Sequence, residues 1–462
     1  MLEIAGKNIL VLGLGATGLS MARWLARHGA HVTVADTRDA PPNAGQLARE
    51  LPQVSLRCGP FTDEIVAGAD MIAISPGVPR QDPSVAHAIV RRVPVIGDVE
   101  CFARALPMLV GDHRMPHIVA ITGSNGKSTV TEMAGAICRA AGMATVVAGN
   151  IGLPVLDVLG AIEDGAPLPD VFVLELSSFQ LESTISLEPD AATVLNITED
   201  HLDRYAGIDE YATAKARIFA GDGVEVLNRD DARTLAAARP GRQTVTFGLD
   251  APASAGDWGV SEADGERLLV HGAMPLMPAR ELRVAGWHNA ANALAACALT
   301  RVIGAPYDAM REALRGFTGL PHRVEKVAEI DGVTFYDDSK GTNVGATVAA
   351  LNGFPQPVVL IAGGDGKGQN FAPLAPAVAR ARAVVLIGRD RERIAQALAT
   401  SDVPLVRAAT LEEAVSAAFG LSHAGDAVLL SPACASYDMF RNYGHRSEVF
   451  VAAVKALVRS RG

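Results

Sequence analysis

A chain of 462 residues exceeds one compact domain of ordinary size and predicts two or three. Hydrophobic residues make up 49%, enough for each domain to bury a core. The formal net charge of −10 argues against bulk attraction to nucleic acid or to an anionic membrane, while a handful of Lys and Arg could still build a phosphate site. The five cysteines, Cys58, Cys101, Cys138, Cys297 and Cys434, form no CxxC or Cys/His cluster, so they point to neither a disulfide framework nor a zinc site. No signal-peptide pattern opens the chain and no stretch approaches the ~18 apolar residues of a spanning helix. A reducing cytoplasm is the expected compartment.

In chain order, short β-branched runs alternate with helical stretches. Asn8–Leu12 reads as a buried strand, Leu19–His28 as a helix and His31–Ala35 as the next strand, with Met71–Ile74 and Val93–Ile96 following. Leu106–Pro116, rich in loop formers, predicts a connection near the first boundary. A second block opens at strand His117–Ile121 and carries a helix at Val130–Ala141, then strands at Val171–Leu174 and Ala192–Asn196. After Gly319-Leu320-Pro321 come strands Pro357–Ala362, Ala383–Ile387 and Asp426–Leu430. The alternation implies α/β domains with mostly parallel sheets, divided at 1–97, 98–317 and 318–462.

Two glycine-rich loops stand between a strand and a helix. Gly13-Leu14-Gly15-Ala16-Thr17-Gly18, with Asp36 ending the next strand, matches the dinucleotide fingerprint. Small residues let a pyrophosphate approach the helix N-terminus, where free N–H groups and the helix dipole favour anions. On residues alone the loop predicts a diphosphate, NAD among the possibilities, or a tight turn without ligand. The second loop, Gly123-Ser124-Asn125-Gly126-Lys127-Ser128-Thr129, is a shortened P-loop, with Ile121 where the first glycine belongs. Its backbone can cradle phosphate, Lys127 can reach the terminal phosphates and Ser128 can hold Mg²⁺. A dehydrogenase needs no P-loop and a simple ATPase needs no first domain. Two nucleotide sites suggest that one nucleotide is a handle on the substrate and the other the energy source.

From the second loop onward the chain resembles the Mur ligase family. The resemblance runs through Thr122–Thr129, Gly149-Asn150-Ile151-Gly152, Glu175–Leu181, Asn196–Asp203, Tyr211–Arg217 with Lys215, His288-Asn289 with Asn292, Pro321-His322-Arg323, Asp337–Asn343, Gly363–Lys367 and Ser431–Ser436. The resemblance implies a Rossmann-like N-terminal domain, a central P-loop ATPase-type domain and a Rossmann-like C-terminal domain. It further implies an ATP-dependent ligase adding D-glutamate to UDP-N-acetylmuramoyl-L-alanine. The alternatives are another ligase of that superfamily, a folylpolyglutamate-synthase-like enzyme, an NAD-dependent oxidoreductase or a nucleotide-sensing binding protein.

The resemblance also implies site residues. The uridine diphosphate of the sugar nucleotide would meet Gly15, Ala16, Thr17, Thr37, Arg38, Ser75, Gly77 and Asn150. ATP would meet Gly123, Ser124, Asn125, Gly126, Lys127, Ser128 and Thr129, with Asn289, Asn292, Arg323 and Asp338. D-Glutamate would meet Lys340, Thr342, Lys367, Ser436 and Tyr443. Two Mg²⁺ ions are implied, one on Ser128 and Glu175 and one on His201. Lys215, by composition one more helix-surface lysine, is by resemblance carbamylated by CO₂ and orients the metal site. Lys127, His201, Lys215 and Arg323 are the expected catalytic set. Neither nucleic acid nor membrane insertion is expected, and a monomer is.

Overall fold

The structure, a computed structural model, describes residues 3–284 and 286–461. Its strands form three sheets. In the first, β1 (Asn8–Leu12), β2 (His31–Asp36), β3 (Ser55–Cys58), β4 (Met71–Ile74) and β5 (Val95–Ile96) lie in the order β3-β2-β1-β4-β5, all parallel. The second holds β6 (His117–Thr122), β7 (Thr145–Gly149), β8 (Val171–Glu175), β9 (Ala191–Val194), β10 (Val224–Asn228), β11 (Thr244–Phe247), β12 (Trp258–Ala263), β13 (Glu266–His271) and β14 (Met274–Pro278). Its order is β14-β13-β12-β11-β10-β9-β6-β8-β7, and β12–β14 form an antiparallel meander at one edge. The third comprises β15 (Glu325–Ile330), β16 (Val333–Asp337), β17 (Val358–Gly363), β18 (Ala383–Ile387), β19 (Leu405–Arg407) and β20 (Ala427–Leu430), ordered β15-β16-β20-β17-β18-β19 with only β15 antiparallel.

The strands read from apolar runs are the ones buried on both faces. Every residue of β4, β8, β17, β18 and β20 is buried, which is why they show no polar alternation. The expected connection at Leu106–Pro116 is corrected. Leu106–Val110 is the last turn of the helix Asp98–Val110, with Pro107 inside it. Leu106 and Val110 are buried in the core there, and the helix stops at Gly111, at φ +55°. Packing thus outweighs the proline's lost hydrogen bond. The same helix sets Phe102 edge-on to Phe172 of β8, centroids 5.1 Å apart, a pairing worth ~0.5–1.5 kcal/mol beyond burial.

Parallel sheets gather their strand C-terminal ends at one edge, and loops there are free to meet ligands. The loop after β1, the P-loop after β6, Glu175 ending β8, Asp338–Lys340 after β16, Gly364–Lys367 after β17 and Ser431–Ser436 after β20 all occupy such ends. Among the described residues no helix is long and apolar enough to cross a membrane.

Candidate functional site

The first glycine loop joins β1 to the helix Ala16–Arg27, and Gly18 is where it demands glycine: a Cβ there would lie 1.8 Å from Gly13 O. Asp36 is 2% exposed and accepts from Leu14 N (2.7 Å) and from the Arg38 backbone and guanidinium (2.6–2.9 Å). The Arg38 bonds, with Leu14 N, hold the carboxyl down at about 2 against burial. Asp36 therefore braces the loop and aims Arg38. Thr37, Arg38, Ala16 and Gly77 are exposed, with Gly15 and Thr17 half-buried beside them, while Ser75 is buried and donates to Gly13 O (3.0 Å). Asn150 is not with this group by its contacts: its amide donates to Glu175 Oε1 (2.7 Å), at the end of β8.

The P-loop is stitched to the loop after β9. Asn125 N donates to Asn196 Oδ1 (2.8 Å), Thr198 N to Ser124 Oγ (2.9 Å) and Asn125 Nδ2 to Thr198 Oγ1 (3.1 Å). Gly126, at φ +83°, caps the helix Lys127–Ala140, and a Cβ there would meet Asn292 Oδ1 at 2.6 Å. Lys127 Nζ folds back onto Gly123 O (2.9 Å) and Ser124 O (3.0 Å). Burial lowers its pKa, with Glu175 and Asp200 opposing. Glu175 is 1% exposed and its Oε2 has no hydrogen-bond partner among the described residues. A buried carboxylate oxygen left bare is costly unless a cation meets it, so Glu175 fits one side of a magnesium site that Ser128 of the P-loop would complete. His201, at φ +56°, packs edge-on against Phe179, centroids 4.7 Å apart. Burial lowers its pKa, which keeps the imidazole neutral and able to bind a metal.

Lys215 corrects the reading of a helix-surface lysine. It is 1% exposed, and its Nζ donates to Gly123 O (2.9 Å) and Thr122 Oγ1 (3.2 Å) and lies 4.6 Å from the Tyr211 ring centroid. Burial, reinforced by the Lys127 charge, holds its pKa well below the lysine range. The helix Ile208–Ala216 is weakly amphipathic in sequence, so nothing local marks position 215 as inward-facing.

The third domain closes against the P-loop. Arg323 Nη2 donates to Ser128 Oγ (2.8 Å), and Asn343 Nδ2 donates to Asn125 Oδ1 (3.0 Å) and Asp200 Oδ2 (3.2 Å). Between the domains lies a cleft of about 270 Å³ that brings together Asn125, Gly126, Thr129, Asn289, Asn292, Arg323, Asp338 and Lys340. Burial lowers the pKa of Arg323 and pushes Asp338 up to about 7, against the Ser431 hydroxyl bond of 2.6 Å. Lys340 Nζ sits 3.8 Å from the Tyr443 ring centroid. Thr342 lies two residues on, and Ser436 is buried. Lys367, at φ +49°, is close enough for its charge to lower the His201 pKa. Arg446 is 1% exposed and donates to Ser339 O (2.7 Å), Ser339 Oγ (3.0 Å) and Cys434 O (3.1 Å), tying the loop before Lys340 to the loop before Ser436. Neither Asn343 nor Arg446 is a candidate by sequence reasoning. Asn343 stands inside the Asp337–Asn343 motif, whereas no local signal marks Arg446.

Three α/β units, a diphosphate-type loop on the first, a P-loop on the second and cations of the third facing it define a nucleotide-dependent multidomain protein. Residues 7–97 match the model of the Mur ligase MurD-like N-terminal domain, 121–300 the Mur ligase middle domain and 322–434 the Mur ligase glutamate ligase domain. The chain belongs to the Mur ligase family. It is 60% identical to the UDP-N-acetylmuramoylalanine--D-glutamate ligase of Thiobacillus denitrificans, covering 100% of this chain and 98% of that one. It is 57% identical to the enzyme of the same name from Nitrosospira multiformis, again over 100% and 98%. Among solved structures, MurF ligase from Thermotoga maritima in complex with ADP superposes with TM-score 0.62 at 15% identity, covering 100% of this chain and 97% of that one. UDP-N-acetylmuramate-alanine ligase from the same organism gives 0.60 at 20% identity, over 97% and 99%. These structures share the fold.

Proposed function

We propose that the chain is an ATP-dependent ligase that joins D-glutamate to UDP-N-acetylmuramoyl-L-alanine in cytoplasmic peptidoglycan precursor synthesis, releasing ADP and phosphate. The observation that carries the reading is Arg323 of the third domain bonded to Ser128 of the P-loop, with Lys127 one residue away. Full-length identity of 60% to a D-glutamate ligase supports that acceptor over the diamino-acid and dipeptide alternatives.

A carboxylate and an amine at neutral pH form a salt, so the carboxylate needs a better leaving group. The L-alanyl carboxylate attacks the γ-phosphorus of ATP and ADP departs, leaving an acyl phosphate. Lys127 and Arg323 spread the charge on the transferring group. The glutamate amine then attacks the carbonyl, loses a proton and expels phosphate. Mg²⁺ held by Ser128 and Glu175, with a second ion on His201, would supply charge neutralisation along the phosphates. The buried amine of Lys215, whose pKa burial lowers, suits carbamylation by CO₂, which would turn a donor into an anionic acceptor beside that metal. The first loop, with Thr17, Thr37, Arg38, Ser75 and Gly77, would hold the uridine diphosphate. Asn150 would bridge that ligand and Glu175. Asn289, Asn292 and Asp338 would hold the nucleoside of ATP, and Lys340, Thr342, Lys367, Ser436 and Tyr443 the glutamate. The test is phosphate release from ATP with UDP-N-acetylmuramoyl-L-alanine and a panel of amino acids. D-Glutamate is expected to stimulate it far above the rest; equal stimulation by L-alanine or diaminopimelate would refute the assignment.

A further inference from the structure

Arg204 follows His201 by three residues in the loop after β9, and no motif singles it out. Its side chain is 9% exposed. Nη1 donates to Pro76 O (2.7 Å) and Nη2 to Val78 O (3.3 Å), both on the loop after β4 of the first domain. Nη2 also pairs with Glu182 (3.1 Å), whose other oxygen accepts from Tyr205 OH (2.5 Å). The guanidinium carbon lies 3.8 Å from the centroid of Phe179, and that ring meets the His201 imidazole edge-on. One side chain of the central domain therefore grips the loop that carries Ser75 and Gly77 and, through one ring, backs His201. The grip is specific to arginine, since only a planar fork spans two carbonyls and a carboxylate while stacking on an aromatic face. Its Nε is buried without a partner among the described residues, so this group is held in place by the other contacts.

We propose that Arg204 is a positioning residue that fixes the first domain's Pro76–Val78 loop relative to His201, and so sets where a substrate anchored in the first domain presents its carboxylate to the P-loop. The proposal rests on the ligase reading above. It separates binding from turnover. The diphosphate loop and Arg38 lie outside the contacts of Arg204, so most of the anchoring survives its loss and only the share of Ser75 and Gly77 can weaken, while alignment of carboxylate and γ-phosphorus does not survive. Misplacement by ~1 Å can cost ~100-fold in rate.

The test uses the full chain with Arg204→Ala and Arg204→Lys, reading kcat from phosphate release, Kd for UDP-N-acetylmuramoyl-L-alanine by calorimetry, and melting. The Ala variant is expected to lose ~30- to 100-fold in kcat, with Kd and the KM values for ATP and D-glutamate within ~3-fold. Lysine, which keeps the cation and one carbonyl contact, should recover part of kcat. A kcat above half the wild-type value overturns the proposal. So does an unchanged kcat with Kd raised in step with the loss of kcat/KM, which would mean that Arg204 serves binding, directly or through Ser75 and Gly77, and not alignment. So does a lowered melting temperature with unchanged kcat per folded molecule. Should the Ala variant not fold, kcat against Kd in the Lys variant decides by the same criteria. Failure of the ligase reading would show instead in the wild-type protein, as no phosphate release with the UDP-substrate and D-glutamate, and would take this proposal with it.

Discussion

Replacing Lys215 by alanine and by methionine separates its amine from its volume. The side chain is 1% exposed, with Nζ on Gly123 O and Thr122 Oγ1. Alanine leaves a cavity, and buried large-to-small changes cost ~2–5 kcal/mol. Methionine fills the space and removes an amine whose burial is itself unfavourable, so its cost should be ~1 kcal/mol or less. Gly123 O keeps its bond from Lys127 in either variant. The Ala variant should thus melt several degrees below the Met variant, at ~2–4 °C per kcal/mol for a unit of this size. Both should lose turnover, because neither can carry the carbamate. Formate or acetate should restore part of the activity to the Ala variant, whose cavity admits a small carboxylate, and none to the Met variant. The assay is phosphate release with and without acetate, beside thermal unfolding. Near wild-type activity in either variant, or equal rescue of both, would refute the carbamate reasoning.

Lys367→Ala should raise the KM for D-glutamate ~10-fold or more, the scale of a charge-assisted hydrogen bond worth ~1.5–3 kcal/mol, and leave the KM for the UDP-substrate nearly unchanged; steady-state kinetics in both substrates checks it. Asp36→Asn tests the brace on the first loop. A carboxyl lowered from 3.8 to about 2 corresponds to at most ~2.5 kcal/mol, which the half-exposed Arg38 partner reduces to ~1 kcal/mol. Because the folded pKa is the lower one, this contribution is present above pH 3.8 and vanishes as pH falls through about 2. Wild type and variant should therefore differ in denaturant midpoint at pH 7 and converge near pH 2. Calorimetry should find UDP-N-acetylmuramoyl-L-alanine binding and no comparable binding of NAD.

What the sequence discloses follows from how local each signal is. Strands such as Ala383–Ile387 are buried on both faces and so read as unbroken apolar runs, and the glycine loops carry fixed spacing between strand and helix. The meander Trp258–Pro278 carries no such signal, because its strands mix buried and exposed residues without a clean alternation. Lys215 misleads for a related reason: its burial depends on Thr122 and Gly123 at the end of β6, not on its own helix. Asn343 and Arg204 act on partners 218 and 128 residues away, a distance no local pattern spans.

The central claim, that the substrate carboxylate is activated by direct attack on ATP, is tested most directly by oxygen labelling. UDP-N-acetylmuramoyl-L-alanine carrying ¹⁸O in its alanyl carboxylate is turned over with ATP and D-glutamate, and the released phosphate is weighed by mass spectrometry. Attack on the γ-phosphorus predicts one labelled oxygen in each phosphate, because the oxygen that bridges carbonyl and phosphorus leaves with phosphate. Unlabelled phosphate released alongside amide product would contradict the account.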